Sequence, residues 1–180
     1  MSINLEKGSK INLRKIDKTL KNLNLCLGWD TRMDLDAFAI LLDENDKIIK
    51  TVCYANKSFN GVSLSGDNLT GEGDGDDEQI KVDLSKVPAN VEKVDFTVTI
   101  HEADTRNQNF GQVSNAYIRI FDEGNNKELI RYDLGEDFSV ETAVVVGELY
   151  RHNGEWKFNA IGSGFQGGLA ALGRNFGVNV

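Results

Sequence analysis

Apolar and polar residues alternate with a period of two along much of this chain, and only its tail carries a helical spacing. Between Lys21 and Trp29, every second position is apolar (Leu23, Leu25, Leu27, Trp29), with Asn22, Asn24, Cys26 and Gly28 between them. Successive side chains of a strand point to opposite faces, so this stretch predicts a strand with one face buried. Val94, Phe96, Val98 and Ile100 interleave with Asp95, Thr97 and Thr99 and predict a second half-buried strand. Ala37 to Leu42 is apolar throughout, as in a strand covered on both faces.

Turn chemistry pairs these segments. Ile48 to Tyr54 follows Ala37 to Leu42 across Asp43-Glu44-Asn45-Asp46, which predicts a hairpin. Ala116 to Phe121 and Glu128 to Leu134 flank Asp122-Glu123-Gly124-Asn125-Asn126 and predict another. Thr142 to Arg151 and Glu155 to Ile161 flank His152-Asn153-Gly154, and Asn-Gly is a strong hairpin signal. In the tail, Phe165, Leu169, Leu172 and Phe176 fall at helical spacing despite Gly167, Gly168 and Gly173, which predicts a short helix packed on the rest. Many short strands and no alternation with long helices imply an all-β antiparallel β-sandwich, with long acidic loops at one end and a short C-terminal helix. With one proline, Pro88, and no linker, low-complexity tract or repeat, residues 1–180 read as one domain.

Composition narrows the function. Of the residues, 40% are hydrophobic and 27% charged, and no apolar run reaches the roughly 18 residues of a membrane span. Met1-Ser2-Ile3-Asn4-Leu5-Glu6-Lys7 lacks the apolar core of a secretory signal, so a cytoplasmic location is expected. Cys26 and Cys53 lie in strand-like runs outside any C-x-x-C motif and are expected to remain thiols. A net charge of −8 argues against nucleic acid and favours a cation.

The carboxylates concentrate in Gly66-Asp67-Asn68-Leu69-Thr70-Gly71-Glu72-Gly73-Asp74-Gly75-Asp76-Asp77-Glu78, which holds six of them. From Ser58 to Ile80 there is no Lys or Arg, and two carboxylates about 4 Å apart repel by roughly 4 kcal/mol at an effective dielectric near 20. The segment therefore either spreads its charges into water or folds around a cation. Glycines at 66, 71, 73 and 75 permit the turns that aim carbonyls and carboxylates at one point, which favours the cation. With no His or Cys among the donors, a structural zinc site is excluded; calcium, which accepts six to eight oxygens in irregular geometry, is preferred to magnesium or manganese. Leu69 and Gly71 stand where an EF-hand needs side-chain oxygens, and Asp76 stands where a dinucleotide loop needs its third glycine, so neither motif applies. A second acidic group, Asp30, Asp34 and Asp36, falls between two predicted strands; it is either a solvated loop or a partner of the glycine-rich segment in one or two metal sites.

With these motifs in view, the chain resembles the TerD family along nearly its whole length. The resemblance rests on the 66–78 segment, on Leu27-Gly28-Trp29-Asp30 with Asp34-Leu35-Asp36-Ala37, and on Gln108-Asn109-Phe110-Gly111-Gln112-Val113. Glu141-Thr142-Ala143, Gly147-Glu148-Leu149-Tyr150-Arg151 and Gly154-Glu155-Trp156-Lys157-Phe158 extend it. It implies a TerD-like domain over 1–180, a calcium-binding β-sandwich, and a bacterial role in tellurite resistance and stress response alongside other, partly membrane-bound, stress-complex proteins. It also implies a ligand role for Asp30, Asp34, Asp36, Asp67, Asn68, Asp74, Asp76, Asp77 and Glu78, with Leu69 and Gly71 contributing backbone carbonyls. Two other readings use the same residues: a metal-dependent hydrolase built on the carboxylates, or a structural module of a membrane-associated complex. The sequence has no G-x-S-x-G or H-E-x-x-H, and His101 and His152 read as structural or solvated, so no catalysis is expected. Arg106-Asn107-Gln108-Asn109 reads as a hydrogen-bonded loop, and Trp29 and Trp156 as core.

Overall fold

The alternating stretches close into two sheets packed face to face. The computed structural model describes residues 2–30, 32–65, 76–134 and 138–179. In chain order the strands are β1 (Ile3–Asn4), β2 (Lys10–Asn12), β3 (Asn22–Gly28), β4 (Leu35–Leu42), β5 (Ile48–Val52), β6 (Ser58–Phe59) and β7 (Val62–Ser65). They continue with β8 (Glu78–Asp83), β9 (Lys93–Ile100), β10 (Tyr117–Asp122), β11 (Lys127–Asp133), β12 (Ala143–His152) and β13 (Glu155–Phe165). Three short helices join them, α1 (Leu13–Ile16), α2 (Ala103–Arg106) and α3 (Gly168–Asn175). One sheet runs β1-β11-β10-β3-β8-β7-β6 and the other β2-β13-β12-β9-β4-β5. Pairing is antiparallel except between β1 and β11.

The three anticipated hairpins are β4–β5, β10–β11 and β12–β13. At the last, Asn153 and Gly154 both adopt positive φ, the two-residue turn whose twist matches the flanking strands. Between the sheets, Leu23, Leu25 and Leu27 of β3, Ile80 and Val82 of β8 and Ile118 and Ile120 of β10 meet Ala39 and Leu41 of β4. Val94, Phe96, Val98 and Ile100 of β9 and Phe158 of β13 complete that layer. Trp29 and Trp156 belong to it as anticipated.

Two expectations need correcting. Strand β9 is not half-buried: Asp95, Thr97 and Thr99 on its outer face are as enclosed as its apolar side. The cause is α3, whose Leu172 packs with Ala143 and Val145 on the outside of the six-stranded sheet, while Phe176 touches the neighbouring cluster of Phe38, Ile40 and Leu42. The helical face is also narrower than its spacing implied. Phe165 ends β13, and Leu169 is 49% exposed while Leu172 is buried. Gly167, at positive φ, caps the helix start, so the strand runs on to the glycines before the helix begins.

Candidate functional site

Antiparallel register brings the acidic segments to one end of the sandwich. Strand β3 finishes at Gly28 where β8 starts, with Leu27 opposite Glu78, and β4 starts where β9 finishes, with Leu35 opposite Ile100. The turn after β3 therefore carries Asp30 and Asp34 across the same end that receives Asp76, Asp77 and Glu78.

The three consecutive acids at 76–78 go to three different environments. Glu78 is the first residue of β8 and shares the inward phase of Ile80 and Val82. At 2% exposure it lies between the sheets, where its Oε2 accepts a hydrogen bond from Ala37 N of β4 at 2.8 Å. Asp77 stays at the strand ends: its N–H donates to Leu27 O at 2.8 Å and its Oδ2 accepts from Trp29 N at 2.9 Å. Trp29 in turn donates its indole Nε1–H to Met33 O at 3.0 Å, fixing the turn that bears Asp30 and Asp34. Asp76 points to the outer face of the seven-stranded sheet. There Arg119 of β10 grips both its carboxylate oxygens, Nε to Oδ1 and Nη2 to Oδ2, each at 2.8 Å, and the Tyr117 hydroxyl donates to Oδ1 at 3.2 Å.

The other acidic group has partners of its own. Asp30 is exposed; its N–H donates to Ser114 O at 3.0 Å and its Oδ2 accepts from Asn115 Nδ2 at 2.6 Å. Asp34 accepts His101 N–H through its backbone carbonyl at 2.8 Å, and its carboxylate lies 4.0 Å from Arg106 Nη1. Asp36 is buried in β4, with Oδ2 3.4 Å from His101 Nδ1. Alternation in β4 puts Leu35 and Ala37 on the inner face and Asp36 on the outer one, so Asp36 and Glu78 approach the rim from opposite sides of β4. The Arg106 loop is hydrogen-bonded as anticipated: Arg106 ends α2, 3.4 Å from Glu102, and Asn107 caps the helix in the left-handed region.

Of the anticipated ligand residues, Asp30, Asp34, Asp36, Asp76, Asp77 and Glu78 lie at this end. Asp67, Asn68, Leu69, Gly71 and Asp74 lie outside the described residues. Among the described residues, no three His, Cys, Asp or Glu side chains converge closely enough to hold a metal ion. What this end presents in the described chain is mainly carboxylate oxygen, with His101 beside Asp36 and Arg106 near Asp34, and carboxylate oxygen suits a hard cation.

Sequence reasoning missed Arg119 and Tyr117. The stretch around Asp76 has no local cation, but a strand more than forty residues away supplies one. The only signal was the alternation Tyr117, Arg119, Phe121, which puts all three on one face of β10. The Cys26 thiol is unreactive in this setting: burial first, and the Asp76 charge second, push it up to about 12.

A two-sheet antiparallel sandwich that gathers aspartates and a buried glutamate at one rim is the class of protein that fold and site define. The TerD domain profile matches residues 1–176, and the chain belongs to that family. It is 50% identical to tellurium resistance protein TerD of Serratia marcescens, over 99% of both chains. It is 53% identical to general stress protein 16U of Bacillus subtilis, over the full length of both. It is also 72% identical to chemical-damaging agent resistance protein B of Clostridium acetobutylicum, over 68% of this chain and 88% of that one. Among solved structures, a TerD homologue from Streptomyces coelicolor A3(2) superposes with a TM-score of 0.73 at 25% identity, covering 84% of this chain and 94% of that one. Among the described residues, no helix is long and apolar enough to cross a membrane.

Proposed function

We propose that this chain is a calcium-binding, non-catalytic stress-response protein of the bacterial cytoplasm, linked to tellurite resistance and acting through partner proteins rather than on nucleic acid. The observation that carries the reading is the meeting of two acidic segments, distant in sequence, at one rim through Trp29 N to Asp77 and Ala37 N to Glu78. Asp30, Asp34, Asp36 and Asp77 would supply oxygens from the described rim. The remaining ligands would come from Asp67, Asn68 and Asp74 and from the carbonyls of Leu69 and Gly71. Bound calcium would neutralise this charge and join the β3–β4 turn to the glycine-rich segment. The relatives' names support the stress and resistance setting.

The test is a calorimetric calcium titration of chelator-stripped protein, with magnesium as competitor and the melting temperature followed alongside. A site that binds only the folded state adds about 2.7 kcal/mol at a calcium concentration 100 times the dissociation constant. Tight binding that magnesium fails to displace, with a clear rise in melting temperature, is the expected outcome. Absence of both heat and shift would end the calcium reading.

A further inference from the structure

We infer that Asp76 anchors the acidic segment rather than serving it as a cation ligand, and that Arg119 and Tyr117 are positioning residues that set cation affinity from outside the coordination shell. This rests on the calcium reading above and deepens it.

The geometry leaves Asp76 little to offer a cation. Both its oxygens are engaged by one guanidinium in the two-pronged arrangement that matches a carboxylate, and Tyr117 adds a third donor. Its side chain is 10% exposed. The Asp76 carboxylate hydrogen bond also raises the Arg119 pKa. Arg119 is itself braced: its guanidinium lies 4.7 Å from the Phe121 ring centroid, and Nη1 is 3.4 Å from Glu128 Oε2. Arg131 stacks on Tyr117, 4.3 Å from the ring centroid. Tyr117 lies over Gly28, where any Cβ would run into its ring. These contacts tie the chain at Asp76 to the middle of the seven-stranded sheet.

Anchoring matters for affinity because Asp77 and Glu78 follow immediately. With Asp76 pinned outward, alternation aims Asp77 at the end of β3 and Glu78 into the core. A cation then meets oxygens already in place, and the ordering cost of binding falls. Arg119 also balances one carboxylate of a segment that has no cation of its own.

The experiment titrates calcium into the full chain carrying Asp76→Asn, Arg119→Gln, Arg119→Lys or Tyr117→Phe, with unfolding followed in chelator. Glu128 remains beside Arg119, so Asp76→Asn does not strand the guanidinium. The expected results are unchanged calcium stoichiometry in every variant, affinity about tenfold weaker for Asp76→Asn and Arg119→Gln, and partial recovery with Arg119→Lys. Loss of a bound ion in Asp76→Asn would make it a ligand and overturn the inference, as would tighter binding in Arg119→Gln, which would make Arg119 a competitor for Asp76. If the parent chain binds no calcium, the functional reading fails and the anchor is judged in chelator alone. There, Asp76→Asn and Arg119→Gln should each lower the melting temperature by about 3–8 °C, with the double variant no lower than the worse single. Additive losses would sink it.

Discussion

Two acidic regions of this sandwich have opposite fates. At the rim, Asp76, Asp77 and Glu78 each meet a donor: a guanidinium, the Trp29 N–H and the Ala37 N–H. On the outer face of the six-stranded sheet, Asp95 of β9 faces Glu148 of β12 across the strands, one acid beside another. Lys93, whose charge acts on Asp95, already donates to Asp46 at 2.6 Å, and Asp95 Oδ1 is buried without a hydrogen-bond partner. Burial first, and the Glu148 carboxyl second, push the Asp95 carboxyl up to about 9. Both regions are acidic; what separates them is the supply of donors. The rim gives each of its acids a donor and an orientation, while on the sheet face burial and the neighbouring Glu148 favour the protonated form of Asp95.

The comparison breaks most visibly at Glu78. Glu78→Ala would leave Ala37 N without an acceptor between the sheets and open a void, costing about 3 kcal/mol in denaturant unfolding of calcium-free protein. Glu78→Gln keeps the acceptor and the volume and should recover most of that loss. Equal damage from both would mean that charge, not the hydrogen bond, holds the rim together.

Asp95 is expected to respond in the other direction. With its native pKa raised above the unfolded value near 4, the folded chain holds a proton there that the unfolded chain has released between pH 4 and 9. The stability it contributes is therefore complete below pH 4 and lost as pH rises towards 9. Asp95→Asn, which needs no such proton, should stabilise the protein by on the order of 2 kcal/mol at pH 8 and flatten the slope of stability against pH. Unfolding curves at pH 5 and pH 8 measure both; a variant as steep as the parent would show that Asp95 does not carry the proton.

These contrasts also mark how far the sequence could be read. Period-two alternation located β3 and β9, an unbroken apolar run located β4, and turn chemistry located three hairpins, because all of these signals are local. Strand β8 was missed although Ile80 and Val82 alternate in phase with Glu78, since a run of carboxylates reads as loop. The acidic segments were visible as composition, but their partners were not. Arg119 reaches Asp76 only through the β3–β10 pairing, and the polar face of β9 is buried only because α3 returns over it. Long-range pairing decides which acids find donors, and no local pattern encodes it.

A smaller effect sharpens the rim side of the comparison. Gly28→Ala would push the Tyr117 ring away from Asp76, since the added Cβ would overlap the far end of that ring. The ring can swing outward, so the stability cost should be modest, about 1 kcal/mol by thermal unfolding. Calcium affinity should fall by less than the roughly tenfold expected of Asp76→Asn, since the Arg119 grip on Asp76 remains. A larger loss would mean that the alanine disturbs the end of β3 itself.

The smallest effect concerns the two thiols, one beside each region. Cys26 lies on β3 beneath Asp76 and Arg119, is 1% exposed, and has its pKa raised to about 12. Cys53 is only partly buried, at the edge of the Phe38, Ile40 and Leu42 cluster. Thiolate is the reactive form, so both access and ionisation protect Cys26, whereas Cys53 is the more accessible of the two. A disulfide reagent at pH 8 should therefore label one thiol per native molecule, Cys53, and reach Cys26 only when the sheet opens. Arg119→Gln should leave the Cys53 rate unchanged and hasten labelling of Cys26, because the ion pair that covers it is lost. If Cys26 reacts at the same rate in parent and variant, the Asp76–Arg119 pair does not shield that face, and the anchor reaches no further than the segment it holds.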